Sequence, residues 1–156
     1  MIFHLSIAAD DPVKVADVLA ELWGGEHHPF PPIGTGSRIV FAGDMRNSAI
    51  EVYPRGLELH PSDGDADVQG RINPASGRMT ATHCAIATPL KQAEVMRIAE
   101  REGWIAKYRK RSGAFGVVEL WLENATLVEV LTSDMQAEYL DAMTMEGWGR
   151  MVAEMA

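Results

Sequence analysis

Four side chains in this sequence have types and positions that suit chemistry: His4, Glu51, His83 and Glu129. His4 lies in Phe3-His-Leu-Ser-Ile-Ala8 and His83 in Thr82-His-Cys-Ala-Ile-Ala87, two similar segments. Glu51 is centred in Ala49-Ile-Glu-Val-Tyr53, and Glu129 in Leu127-Val-Glu-Val-Leu131. The separation from His to Glu is the same in both copies to within one residue. All four segments read as strands, on which successive side chains face opposite sides. Phe3, Leu5, Ile7, Ile50, Val52, Cys84, Ile86, Val128 and Val130 then turn toward a core, and the four polar residues share the other face. If two such sheets curve toward each other, the four converge. Two imidazoles and two carboxylates form a nitrogen and oxygen donor set for a divalent metal ion such as Zn, Ni, Co, Mn or Fe, with water completing an octahedron. Two carboxylates also balance one dication, so they tolerate a partly buried setting.

A cation with open positions binds two neighbouring oxygens of a substrate and acts as a Lewis acid on a carbonyl. The adjacent C–H becomes acidic through stabilisation of an enediolate. Glu129 and Glu51 are the candidate bases that take and return the proton. Tyr53 and Trp121 are expected near the same concave face, the latter alternating with Glu119. Arg38 is either an anchor for an anionic substrate or an ordinary exposed residue at a strand start. Gly34-Thr-Gly36 lacks a third glycine and supports no dinucleotide loop. Cys84 and His83 are strand neighbours that point apart, so they are no nucleophile and base pair. Glu26-His27-His28 reads as a solvated loop.

The elements that must position these residues repeat as βαβββ units. Asp11 and Thr88 are expected to cap the two helices, with Pro12 and Pro89 at the first helical position. Val15, Leu19, Leu22 and Trp23 line one helical face, Val95, Ile98 and Ala99 the other, and Gly24 and Gly103 suit left-handed stops. Strands follow at Arg38–Ala42 and Ser48–Tyr53, with a weaker one near Phe30–Ile33, and again at Ile105–Arg109, Val117–Leu122 and Leu127–Leu131. The expected fold class is α+β: two tandem βαβββ modules, 1–56 and 81–132, forming a cupped, barrel-like mixed sheet. Residues 57–80 form a linker, with local β structure at Leu57–His60, and 133–156 form a C-terminal helical tail broken at Gly147 and Gly149. Five of the nine methionines, Met135, Met143, Met145, Met151 and Met155, lie in that tail and suit an adaptable packing surface.

Composition narrows the partners. The chain has 156 residues, 47% of them hydrophobic and 23% charged, which is the profile of a folded domain. Its net charge is −8, and the only basic run is Lys107, Arg109, Lys110 and Arg111. Nucleic acid and anionic membranes are therefore excluded as expected partners. One cysteine cannot form an intrachain disulfide, no run of apolar residues is long enough for a membrane helix, and the N-terminus has no basic region of a signal peptide. A cytoplasmic location is expected.

The paired modules and strand-borne His4, Glu51, His83 and Glu129 resemble the vicinal oxygen chelate superfamily, which includes glyoxalase I, extradiol dioxygenases, methylmalonyl-CoA epimerase, and fosfomycin and bleomycin resistance proteins. The likeness extends to about Leu131, and the order His, Glu, His, Glu is most similar to bacterial glyoxalase I. It implies two modules cupped around a metal within a homodimer, and a metal-dependent lyase or isomerase acting on a small oxygenated metabolite. An extradiol-type dioxygenase using His4, His83 and Glu129 with iron, and a metal-free ligand-binding or antibiotic-resistance protein, are the alternatives on the same fold. The Asp-Pro-Asp-Gly turn common before the last strand is replaced here by Glu123-Asn124-Ala125.

Overall fold

Strict alternation builds the first strand: in β1 (His4–Ala9), Ile7 and Ala9 are buried while His4 is exposed. The computed structural model describes residues 2–155. Asp11 ends the turn after β1 and caps α1 (Pro12–Trp23), its carboxylate accepting from the Lys14 amide at 3.1 Å, with Pro12 where an amide would go unpaired. Val15, Val18, Leu19 and Leu22 face the core. Trp23 is only half-buried. Three strands follow, β2 (Glu26–Pro29), β3 (Arg38–Phe41) and β4 (Ala49–Pro54). The sheet order is β1-β4-β3-β2, with β1 parallel to β4 and the rest antiparallel.

The linker folds into a hairpin, β5 (Leu57–His60) with β6 (Gln69–Ile72), so the expected β structure at Leu57–His60 is present. The second module repeats the first: β7 (Cys84–Ala87), α2 (Gln92–Glu102), β8 (Ile105–Arg111), β9 (Phe115–Leu122) and β10 (Thr126–Leu131), in the order β7-β10-β9-β8. Both helices stop at a left-handed glycine, Gly24 with φ 66° and Gly103 with φ 69°. The α+β class and the two βαβββ modules stand as read. The strands form two separate four-stranded sheets, with no closed barrel.

Four local expectations are corrected. The second strand is Glu26–Pro29 instead of Phe30–Ile33, because Pro31 and Pro32 have no amide to donate to β3. Glu26-His27-His28 is therefore strand, with His27 Nε2 2.7 Å from Asp17 of α1. Thr88 caps a preceding turn, accepting from the Leu90 amide at 3.1 Å, while α2 starts at Gln92 and Glu94 closes its first turn by accepting from the Lys91 amide at 2.8 Å. The tail forms α3 (Ser133–Ala142) and α4 (Met145–Met155), which break at Met143 and Thr144, and Gly147 and Gly149 lie inside α4. Met135 is buried, Met143 and Met145 are exposed, and Met151 and Met155 lie outside the side chains described.

The modules share one apolar core that includes Leu19 and Leu22 of α1, Val95 and Ile98 of α2, and Val118 and Leu120 of β9. Arg101 of α2 grips Glu21 of α1 through both terminal guanidinium nitrogens, Nη1 and Nη2, at 3.1 and 2.7 Å, and Thr88 donates to the Leu22 carbonyl. Helix α3 lies on β9, where Tyr139 meets Phe115 edge-on at 5.0 Å and Glu138 accepts from the Gly116 amide at 2.7 Å. No helix among the described residues is long and apolar enough to cross a membrane.

Candidate functional site

Parallel pairing of β1 with β4 sets Ser6 beside Glu51, and His4 lies one alternation earlier on the same face. His4 Nε2 is 3.9 Å from Glu51 Oε1. The other carboxylate oxygen, Oε2, accepts from Ser6 Oγ at 2.8 Å and from Tyr53 Oη at 3.0 Å. Glu51 is thus pinned at one oxygen and turned toward His4 with the other. Tyr53 is 4% exposed, and burial, reinforced by the Glu51 hydrogen bond and charge, pushes its hydroxyl up to about 12. It is a proton donor at every ordinary pH.

The second pair rides on the other sheet. Glu129 stands opposite Ala85 in the parallel β7–β10 ladder, and His83 immediately precedes β7 instead of lying inside it. His83 Nδ1 is 3.0 Å from the Ala81 carbonyl oxygen. A carbonyl only accepts, so Nδ1 is the donor and Nε2 is the nitrogen left for another partner. Glu129 takes two bonds from Arg111 on a single oxygen, Oε1: one from Nε at 3.2 Å and a shorter one from Nη2. Cys84 is half-buried, and burial together with the Glu129 charge raises its thiol to about 11, which keeps it protonated.

The donor atoms suit a divalent cation. Glu51 Oε1 and His83 Nε2 are oriented by bonds made at their opposite atoms, which is how metal-ligating carboxylates and imidazoles are held. Within one chain, however, no three His, Cys, Asp or Glu side chains among the described residues come close enough to hold a metal ion. The structure brings His4 to Glu51 and leaves His83 and Glu129 on the second module.

A cleft of about 730 Å³ is lined by residues of both modules, among them His4, His83, Phe3, Trp23, Ile50 and Tyr139, while Glu51 and Glu129 lie outside its lining. That volume is in the range of small-molecule sites. A second cavity of about 220 Å³ lies beside Ser6 and Tyr53, walled by Leu57 and Leu59 of the linker hairpin and by Thr126. Trp121 shares the face of Glu119 and Leu127, as expected. Arg38 does not belong here: it pairs with Val52, so it lies on the face turned away from Glu51, and its Nε is buried without a partner. Sequence reading missed Ser6, although it sits two residues after His4. It also missed Arg111, whose alternation with Lys107 and Arg109 on β8 was the available signal.

Neither a protein-family model nor a curated protein sequence matches this chain. Solved structures do. The fosfomycin resistance protein FosX of Listeria monocytogenes is 14% identical, with 90% of this chain and 96% of that one covered and a TM-score of 0.57. The lactoylglutathione lyase of Agrobacterium tumefaciens is 16% identical, with 86% and 94% covered and a TM-score of 0.54. The trypanothione-dependent glyoxalase I of Leishmania major is 17% identical, with 96% and 98% covered and a TM-score of 0.51. The chain shares the fold of these three proteins.

Proposed function

We propose that this chain is a metal-dependent lyase or isomerase of the glyoxalase type, acting on a small oxygenated metabolite. The observation that carries the reading is Glu51, held at Oε2 by Ser6 and Tyr53 and presenting Oε1 to His4. His4, Glu51, His83 and Glu129 would hold the cation, whose identity among Ni, Zn, Co, Mn and Fe is left to measurement. When bound, it supplies Lewis-acid polarisation of a substrate carbonyl.

The two carboxylates divide the remaining work. Glu51 is fixed by two hydroxyl donors and serves as a stationary ligand. Glu129 has an oxygen, Oε2, with no hydrogen bond among the described residues, so it is the carboxylate that accepts a proton from the carbon beside the carbonyl and returns it to a neighbouring position. Because the ligand pairs ride on separate sheets, pairing of two copies in a homodimer is the arrangement that gives each pair its complement.

One observation favours a second reading. Arg111 neutralises Glu129 without a metal, which fits a metal-free ligand-binding protein on the same fold. Elemental analysis of protein prepared without a His tag separates the two, with stoichiometric divalent metal expected for the enzyme. Conversion of the methylglyoxal–glutathione hemithioacetal is the activity assay. Glu129→Gln is expected to lower turnover at least about 100-fold while the circular dichroism spectrum is unchanged. Full turnover in that variant would contradict the mechanism.

A further inference from the structure

The cavity of about 220 Å³ beside Ser6 and Tyr53 has walls of two kinds. Leu57 and Leu59, alternate residues of β5, form the apolar wall. A Cβ at Gly34 would fall 2.7 Å from Leu57 Cδ2, so that glycine lets the hairpin seat Leu57 against the first module. The polar wall is made of hydroxyls whose protons are already committed. Ser6 Oγ and Tyr53 Oη donate to Glu51 Oε2 at 2.8 and 3.0 Å, and Thr126 Oγ1 donates to the Ala8 carbonyl at 3.3 Å. A hydroxyl has one proton and two lone pairs, so these three oxygens have only acceptor capacity left. Thr80 and Thr82 lie at the exposed rim.

Charge points the same way. Among the described residues the ion-pair partner of Glu51 is His4, which approaches Oε1 at 3.9 Å, and no lysine or arginine lies within salt-bridge reach. Arg55 also lines the cavity, but it is bound to Asp10 at 2.6 Å and to Glu123 at 3.3 Å, and the group these form with Arg78 is neutral. The space is smaller than the roughly 300–1,000 Å³ of drug-sized sites, so it takes only a few heavy atoms.

We propose that this cavity binds a small primary ammonium ion, with N–H groups on the oxygens of Ser6 and Tyr53, a third directed to Thr126, and a short alkyl chain against Leu57 and Leu59. An ammonium has three donors and no acceptor, which matches oxygens that can only accept. Ser6 and Tyr53 both lie within 3.0 Å of one carboxylate oxygen, so a single nitrogen can reach both, and donation to that carboxylate strengthens each hydroxyl as an acceptor. The site is on the Oε2 side of Glu51 and stands independently of the metal reading, which uses Oε1.

Titration of the isotope-labelled full chain with propylammonium, followed by amide chemical shifts at physiological ionic strength, tests it. Saturable shifts are expected at Ser6, Ala8, Leu57 and Thr126. Three probes of equal chain length dissect the recognition: 1-propanol has no charge, propyltrimethylammonium has the charge without N–H groups, and propionate has the opposite charge. The first two should bind at least about tenfold more weakly, and propionate not at all. Leu59→Trp, at a position 47% exposed, fills the cavity and abolishes the shifts, and Ser6→Ala weakens binding severalfold. If Ser6→Ala does not fold, Thr126→Val carries the same expectation. Absence of saturable shifts at these amides, shifts that persist in Leu59→Trp, or undiminished binding in the hydroxyl variant overturns the site. Equal binding of propyltrimethylammonium overturns recognition through N–H donors, equal binding of 1-propanol overturns the role of charge, and tighter binding of propionate makes Arg55 the recognising group and overturns the assignment. The titration uses no metal, so its failure leaves the metal reading untouched.

Discussion

Tyr53 donates to Glu51 from an almost fully buried position, and its hydroxyl is pushed from 10.0 to about 12 by burial first and the Glu51 hydrogen bond and charge second. The native chain thus holds this proton more tightly than the unfolded chain does. That contribution to stability is whole below pH 10 and is lost as pH rises toward about 12. Urea midpoints measured across this window should fall more steeply for the original chain than for Tyr53→Phe, and parallel curves would contradict the assignment. Near neutral pH, Tyr53→Phe should cost about 1.5–3 kcal/mol, the worth of a hydrogen bond to a charged acceptor. The common face of His4 and Glu51 was legible because strand alternation is a local property, and the two do meet across one ladder. Ser6 as a donor, and Arg111 as the counter-charge of Glu129, depend on which residues stand opposite across the sheet. Register of that kind is decided by tertiary pairing and leaves no mark in either strand alone.

At the scale of elements, the turn between β9 and β10 does more than reverse the chain. Glu123 and Asn124 take φ values of 52° and 55°, a conformation Asn tolerates through its short polar side chain. Both then clasp distant segments. Glu123 accepts from the amides of Asp10 and Asp11 at 2.6 Å each, just before α1, with Arg55 Nη2 at 3.3 Å. Asn124 accepts from the Ile105 amide at 2.7 Å and donates to the Gly103 carbonyl at 3.2 Å. Glu123 thus brackets the two modules, while Asn124 ties the turn to the end of α2 within the second. Glu123→Ala should therefore destabilise the fold by about 2–3 kcal/mol, because two amides lose a charged acceptor, and a urea midpoint equal to that of the original chain would contradict this. Element order was readable from turn residues and amphipathic helices, but boundaries were less so. The start of α2 moved to Gln92 because Thr88 closes a separate turn at the Leu90 amide, and the Glu94 carboxylate takes the Lys91 amide at the true helix start. The second strand moved to Glu26 because the prolines after it cannot pair.

For the whole molecule, the decisive feature is that the proposed ligands are divided between the modules, His4 and Glu51 on the first and His83 and Glu129 on the second. If the site is shared between two copies, His4→Ala and His83→Ala chains each bind Co²⁺ only weakly when alone. Mixed and refolded together, they should regain Co²⁺ at about one site in four, the statistical share of intact sites in a two-fold dimer. No recovery on mixing would place the site within one chain or abolish it. The central claim, that two imidazoles and two carboxylates surround one divalent cation, is tested most directly by X-ray absorption of the Co²⁺-loaded chain. The account predicts a shell of nitrogen and oxygen at roughly 2.0–2.2 Å containing two imidazoles, falling to one in His4→Ala and to one in His83→Ala. A spectrum without imidazole, or one that neither substitution changes, would contradict it.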